Sequence, residues 1–286
     1  MNITVSSTRR RFAIRAFALA TGLALSAGVA VLRAEQEKSA PLDTAPPPNA
    51  GPLRWGPGLD VPFVTGESLS YAVKFGFLRV GSGSMYVKGP AMVRGQETTH
   101  ILFRITGGTM FFKVNDLMQS WIEPTRFASL RFHQDISEGG YQANRRYEFY
   151  PDRKSYTEND KPEKPSVESP LDDGSFLYFI RTQLLEVGKE YTYDRYFDPE
   201  ANPVRIRVLR KERLRVPAGE FDAIVLQPII KTSGIFSEGG SATIWLSDDS
   251  RRMVLQLKSR LSFGSLNLYL LRYRLAEGGS WMGEEP

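Results

Sequence analysis

The chain contains no cysteine. That excludes disulfides, thiolate metal ligation and a cysteine nucleophile, and it removes the residue that a bacterial lipoprotein anchor requires. Histidine is scarce as well: His100 and His133 are the only two, and neither has a serine, aspartate or second histidine at a spacing typical of a triad or a metal site. The sequence has no Gly-rich phosphate loop, no HExxH and no GxSxG. No cofactor or metal is therefore implied, and a catalytic centre would have to be assembled from residues distant in sequence. A basic excess is missing too once the first residues are set apart. The chain has 37 lysines and arginines against 32 acids, and five of the arginines (Arg9, Arg10, Arg11, Arg15 and Arg33) fall in residues 1–34, where there is no acid. The remaining 32 and 32 balance, which argues against a nucleic-acid partner.

Those five arginines flank or interrupt the apolar run Ala16 to Leu32, the pattern of an export signal with a cut near Ala34. The run is about as short as a membrane span can be, so an uncleaved anchor is the alternative, and it would be the only membrane contact. Thr8-Arg9-Arg10-Arg11-Phe12 fits a twin-arginine signal as well as an ordinary Sec signal. The expected location is the periplasm, free or tethered to the inner membrane. Residues 35–62 are rich in proline and glycine and read as a linker, or alternatively as a proline-rich ligand for a partner.

From residue 63 to 277 the chain reads as one mainly β domain. Leu69, Tyr71, Val73, Phe75 and Phe77 alternate with small or polar residues, as in a half-buried strand. Further short runs recur at even spacing between Gly107-Gly108, Pro124, Gly139-Gly140 and Gly239-Gly240, which predicts an antiparallel meander. Gly81 and Gly83 inside the second run leave room for a close backbone, a bulge or a ligand. In Leu171 to Leu185 the period changes: Phe176, Leu177, Phe179, Ile180 and Leu184 recur at helical spacing behind Asp172 or Asp173 as N-cap. The expected architecture is a single curved antiparallel sheet or open β-barrel covered by one α-helix, behind an N-terminal signal or anchor helix. Gly66-x-x-Leu69-x-Tyr71 and Gly188-x-x-Tyr191-x-Tyr193 hint at an internal duplication. Residues 278–286 read as a flexible tail.

Two charged clusters stand out. Between Val204 and Val216, alternation places Arg205, Arg207, Lys211, Arg213 and Arg215 on one strand face. Such a ladder could meet an anionic envelope ligand or a partner's acidic surface, or it could be a solvated edge that discourages pairing with other chains. Asp248-Asp249, followed by Arg251-Arg252, sits where a hairpin turn is required and lacks the further oxygen ligands of a calcium loop. The aromatic residues Phe75, Phe77, Phe111, Phe112, Tyr178, Phe179, Trp245, Phe263 and Tyr269 could line an apolar cavity or simply fill a core.

Gly66-Glu67-x-Leu69-x-Tyr71-x-Val73, the following Val80-Gly81, the helix from Asp172-Asp173 to Arg181, and Val216-Pro217-Ala218-Gly219-Glu220-Phe221-Asp222-Ala223 leading to Ile244-Trp245-Leu246-Ser247-x-Asp249-x-Arg251-Arg252 resemble the bacterial envelope family known as domain of unknown function 3108. The likeness covers about residues 63 to 275. Met253 departs from it, standing where proline is expected. The resemblance implies a shape similar to the curved half-barrels of periplasmic lipoprotein carriers, and it brings no activity or catalytic residue. The expectation is a non-enzymatic envelope domain that binds an apolar or amphiphilic ligand, or a protein partner. The alternatives are an assembly factor with a filled core and a cationic face, and a glycan or lipid hydrolase.

Overall fold

The computed structural model describes residues 61–108, 113–229, 241–261 and 264–284. The expected signal or anchor helix and nearly all of the linker lie outside them. The first half of the chain forms β1 (Ser68–Phe75), β2 (Leu78–Val93), β3 (Gln96–Gly108), β4 (Lys113–Glu123), β5 (Ala128–Glu138), β6 (Tyr141–Tyr150), β7 (Ser155–Glu158) and β8 (Lys164–Pro165). After the helix α1 (Asp173–Arg181) come β9 (Glu190–Tyr193), β10 (Val204–Val216), β11 (Gly219–Ile229), β12 (Ser241–Ser247), β13 (Val254–Leu261), β14 (Gly264–Arg274) and β15 (Met282–Gly283).

Every pairing between these strands is antiparallel, and the strand order is β8-β7-β6-β5-β4-β3-β2-β1-β14-β13-β12-β11-β10-β9. Two meanders thus join where the first strand meets β14. Tight turns supply the reversals: Arg94 and Gly95 between β2 and β3 both have positive φ, at 49° and 78°, which matches the right-handed strand twist. The outer edges do not pair strand to strand. The segment after β8 spans them, with Leu171 N–H donating to Arg195 O (2.6 Å) and Phe197 N–H donating to Leu171 O (3.0 Å). The result is an open barrel. The Gly-rich tail, expected to be flexible, carries β15, whose Met282 and Gly283 lie opposite Tyr273 and Arg272 of β14.

The helix differs from expectation in one respect. It is shorter than the periodic stretch, closing at Thr182, and Leu184 beyond it is 84% exposed. Every residue from Gly174 to Arg181 is buried, so α1 is a core element enclosed by the sheet, not an amphipathic cover. Gly174 permits this, because a Cβ there would run into the Ser120 side chain of β4. No helix among the described residues is long and apolar enough to cross a membrane.

The hinted duplication extends through both meanders. Gly66 (φ 84°) donates to Val87 O and Val87 N–H returns to Glu67 O, while Gly188 (φ 81°) donates to Val208 O and Val208 N–H returns to Lys189 O. A β-bulge follows each time, at Val87/Gly89 and at Val208/Arg210. Another falls at Trp121/Ile122 in β4 and at Trp245/Leu246 in β12. The turns after these tryptophans each hold a non-glycine residue at positive φ, Phe127 (54°) and Arg252 (49°). Bulges and left-handed residues are costly local features that do not recur in matched order by accident of composition. Of the glycines expected to leave room in β2, Gly81 serves backbone approach, since a Cβ there would collide with the Thr106 carbonyl of β3, whereas one on Gly83 would meet only side chains at ordinary contact distance.

Candidate functional site

The cationic strand β10 does not form one ladder. The bulge beside Leu209 adds a residue, so Arg207 lies opposite Gln227 whereas Lys211, Arg213 and Arg215 lie opposite Ile224, Asp222 and Glu220. Since β11 alternates without interruption over those partners, Arg205 and Arg207 point to one face and Lys211, Arg213 and Arg215 to the other. Alternation alone could not reveal the extra residue. The cations are also matched by acids. Glu190 receives Arg207 (2.5 Å) and lies 3.9 Å from Arg205; Lys211 pairs with Asp248 (2.8 Å), Arg213 with Asp222 (3.1 Å) and Arg215 with Glu220. Hydrogen bonds from Arg207 and Arg215 hold the carboxyls of Glu190 and Glu220 below their ordinary range.

Asp248-Asp249 forms the turn its composition predicts. Asp249 Oδ1 accepts from Ser247 Oγ (2.7 Å), Arg251 N–H (3.0 Å) and Arg252 N–H (3.1 Å), which satisfies the reversal's own backbone. In the matching turn of the first meander Glu123 does the same work, accepting from the N–H groups of Thr125 and Arg126. Among the described residues there is no group of three or more metal-ligating side chains.

The two histidines are brought together by the sheet. His100 lies opposite Trp121 and stacks on it, with ring centroids 4.2 Å apart, and His133 meets the same indole edge-on at 4.9 Å. Burial pushes His100 down to about 4 and His133 down to about 3, the latter with help from the charges of Arg146 and Arg131. Both are neutral at pH 7 and serve as flat packing groups. The Gln119 side-chain amide oxygen lies 3.1 Å from His100 Nε2. In the second meander Trp245 instead donates to Glu212 (2.6 Å) and lies under Lys258.

The strongest polar constellation lies around α1. Glu67 and Arg181 form a two-pronged ion pair at 2.7 and 2.8 Å, with side chains 2% and 0% exposed. Arg181 also donates to Arg251 O (3.1 Å) and lies over the rings of Phe63 and Tyr178. In the other meander Arg195 donates to the carbonyls of Arg126 and Phe127, so each left-handed turn is held by a guanidinium reaching out from the interior. At the opposite end of the helix Asp172 is the N-cap. It accepts from Gly174 N–H, Ser175 N–H and the hydroxyls of Ser120 and Ser129, all at 2.6–2.8 Å. Burial raises its carboxyl to about 6 against those hydrogen bonds. Sequence reading located Glu67, Asp172 and Arg181 as motif positions, but a pair 114 residues apart leaves no periodic signal.

Buried Asp116 and half-buried Glu138 are a further carboxyl pair, at the end of the sheet where β4 begins and β5 ends. Burial and then the Asp116 charge raise Glu138 to about 7. A carboxyl raised on folding contributes stability below its unfolded value and loses it as pH climbs through the folded one. Wild type should therefore lose stability relative to Glu138→Gln as pH rises from 4.5 to about 7, and parallel urea titrations of the two proteins at each pH would measure the difference. Curves that stay parallel would refute the raised Glu138 carboxyl.

Of the aromatic residues expected inside, Tyr178, Phe179 and Trp245 are buried, while Phe77 is 87% exposed at a hairpin tip. Phe111, Phe112 and Phe263 lie outside the described residues. Phe132, Tyr147, Phe149, Tyr156 and Phe197 form a ring-packed cluster of their own. Composition showed that bulk was available but not which rings face inward.

The family model described as protein of unknown function (DUF3108) matches residues 70–271. No curated protein matches the chain. A solved β-barrel-like protein of domain of unknown function DUF1849 from Brucella abortus is similar at 8% identity and a TM-score of 0.50, over 76% of this chain and 100% of that one. The hypothetical protein CT021 from Chlamydia trachomatis matches 78% of this chain and 92% of its own, at 8% identity and a TM-score of 0.34. At such identities the first likeness supports the barrel-like fold alone.

Proposed function

The chain belongs to the DUF3108 family of proteins of unknown function, and from that premise we propose that it is an exported, non-enzymatic module of the bacterial envelope that works by binding at its outer surface. The observation that carries this reading is the burial of α1 from Gly174 to Arg181 inside the open barrel. A helix packed into the interior leaves less room for an enclosed lipid-like ligand, and the buried charges there, Glu67 and Arg181, are paired with each other. The basic N-terminal segment and the neutral body support export. The acids that match β10 argue against a bare anion site there, and a surface on which cations and carboxylates alternate suits a protein or membrane neighbour better than a free small anion.

Native mass spectrometry of the protein taken from its own envelope tests the reading. A partner or amphiphile should be present after mild extraction and be removed by salt or dilute detergent, with near-ultraviolet circular dichroism unchanged. A lipid retained in one-to-one ratio, whose removal alters that spectrum, would establish an internal carrier and overturn the filled interior.

A further inference from the structure

The hairpin between β1 and β2 ends in Gly76, Phe77 and Leu78. Gly76 has φ 58° and makes the tight reversal; Phe77 and Leu78 are 87% and 57% exposed. Directly behind them Lys74 and Arg79 are cross-strand partners. Two like charges facing each other across a hairpin oppose its formation. Neither has an ion-pair partner among the described residues, Lys74 lying instead over the Tyr269 ring at 5.2 Å. Exposed Lys113, where β4 starts, adds a third cation to this end of the sheet, since β3 pairs with β2 on one side and β4 on the other.

We propose that the Phe77-Leu78 tip inserts into the interfacial region of an anionic lipid bilayer, with Lys74 and Arg79 at the level of the headgroups. The shape favours a bilayer over a protein. A two-residue convex tip offers far less than the roughly 1,000 Å² a stable protein interface needs, whereas an apolar wedge about 5–10 Å deep with cations at its base is what an interface accommodates. Anionic headgroups would also relieve the repulsion between Lys74 and Arg79. The inference deepens the surface-binding reading above and rests on it.

The absence of cysteine allows a direct test on the full chain. Phe77→Cys and, at the opposite end of the sheet, Asp152→Cys each receive a polarity-sensitive fluorophore. Phosphatidylethanolamine vesicles with and without phosphatidylglycerol are then added. The label at 77 should shift to the blue and be quenched by lipid-borne quenchers on the anionic vesicles, while the label at 152 should do neither. Lys74→Glu with Arg79→Glu, in the Phe77→Cys background, should weaken the response by about thirtyfold or more; circular dichroism checks that the hairpin variants fold. An N-terminal segment held in the bilayer would bring both labels near lipid without inserting the tip, so equal responses at 77 and 152, or none at 77, overturn the proposal. An unresponsive tip beside a salt-labile partner in native mass spectrometry would refute membrane insertion while leaving surface binding in place.

Discussion

Arg181→Met should lower the stability of the domain by about 3–5 kcal/mol, the range for breaking a buried ion pair by removing one partner. The size of the effect comes from what remains. Glu67 is 2% exposed and is left inside the barrel with its bidentate donor gone, and Arg251 O also loses its donor. Methionine keeps an apolar stem in the same space, while the guanidinium over the Phe63 and Tyr178 rings is lost. Adding Glu67→Gln should return a substantial part of the loss, because a neutral amide is cheaper to bury than an orphaned carboxylate. Urea unfolding of wild type, both single variants and the double variant closes the cycle. Additive losses would mean that the two groups do not act as a pair.

Asp172→Ala should cost about 3 kcal/mol. Loss of a helix N-cap accounts for about 1–2 kcal/mol, and a buried hydroxyl left without its acceptor adds at least about 1 kcal/mol. Here two hydroxyls are affected, those of Ser120 and Ser129. Ser129 can still turn to Ser175 Oγ at 2.9 Å, so Ser120 is the more exposed to the change. Asp172→Asn should be milder, since its carbonyl oxygen can still accept from Gly174 and Ser175. It also isolates the charge: the wild-type carboxyl, raised to about 6 by burial, makes folding less favourable as pH rises from its ordinary value to that point, and the amide does not titrate. Unfolding midpoints of the three proteins at pH 5 and pH 7 provide the readout, and an alanine variant as stable as wild type would contradict the cap's role.

The contrast between these sites shows where sequence was informative. Alternation at Leu69, Tyr71 and Val73 and the turn formers between runs specify strands, because period and punctuation are local. The change to helical spacing at Phe176 to Ile180 specifies α1 for the same reason, and it narrows the cap to Asp172 or Asp173, of which the structure uses Asp172. Alternation failed at β10, since one bulged residue at Leu209 reverses every side chain after it. It was silent on Glu67 with Arg181 and on His100 with Trp121, whose proximity depends on strand order and register. Leu184 read as core because its spacing fits a helix, yet the chain has already turned away at Thr182. The likeness showed in three matched positions at Gly66 and Gly188; its further support lies in hydrogen bonds and bulges, which different side chains can share.

The joint between β1 and β14 bears on how the chain must assemble. Each meander is built from neighbours in sequence, so its contacts close short loops and can form quickly. The seam between them unites the first strand with one about 200 residues later, the most distant pairing in the sheet. Until β14 has been made and delivered, β1 exposes an unpaired edge, and Glu67 on its N-terminal shoulder has no closed interior in which to meet Arg181. A chain truncated before residue 264 would keep nearly all of its local structure and lose its centre.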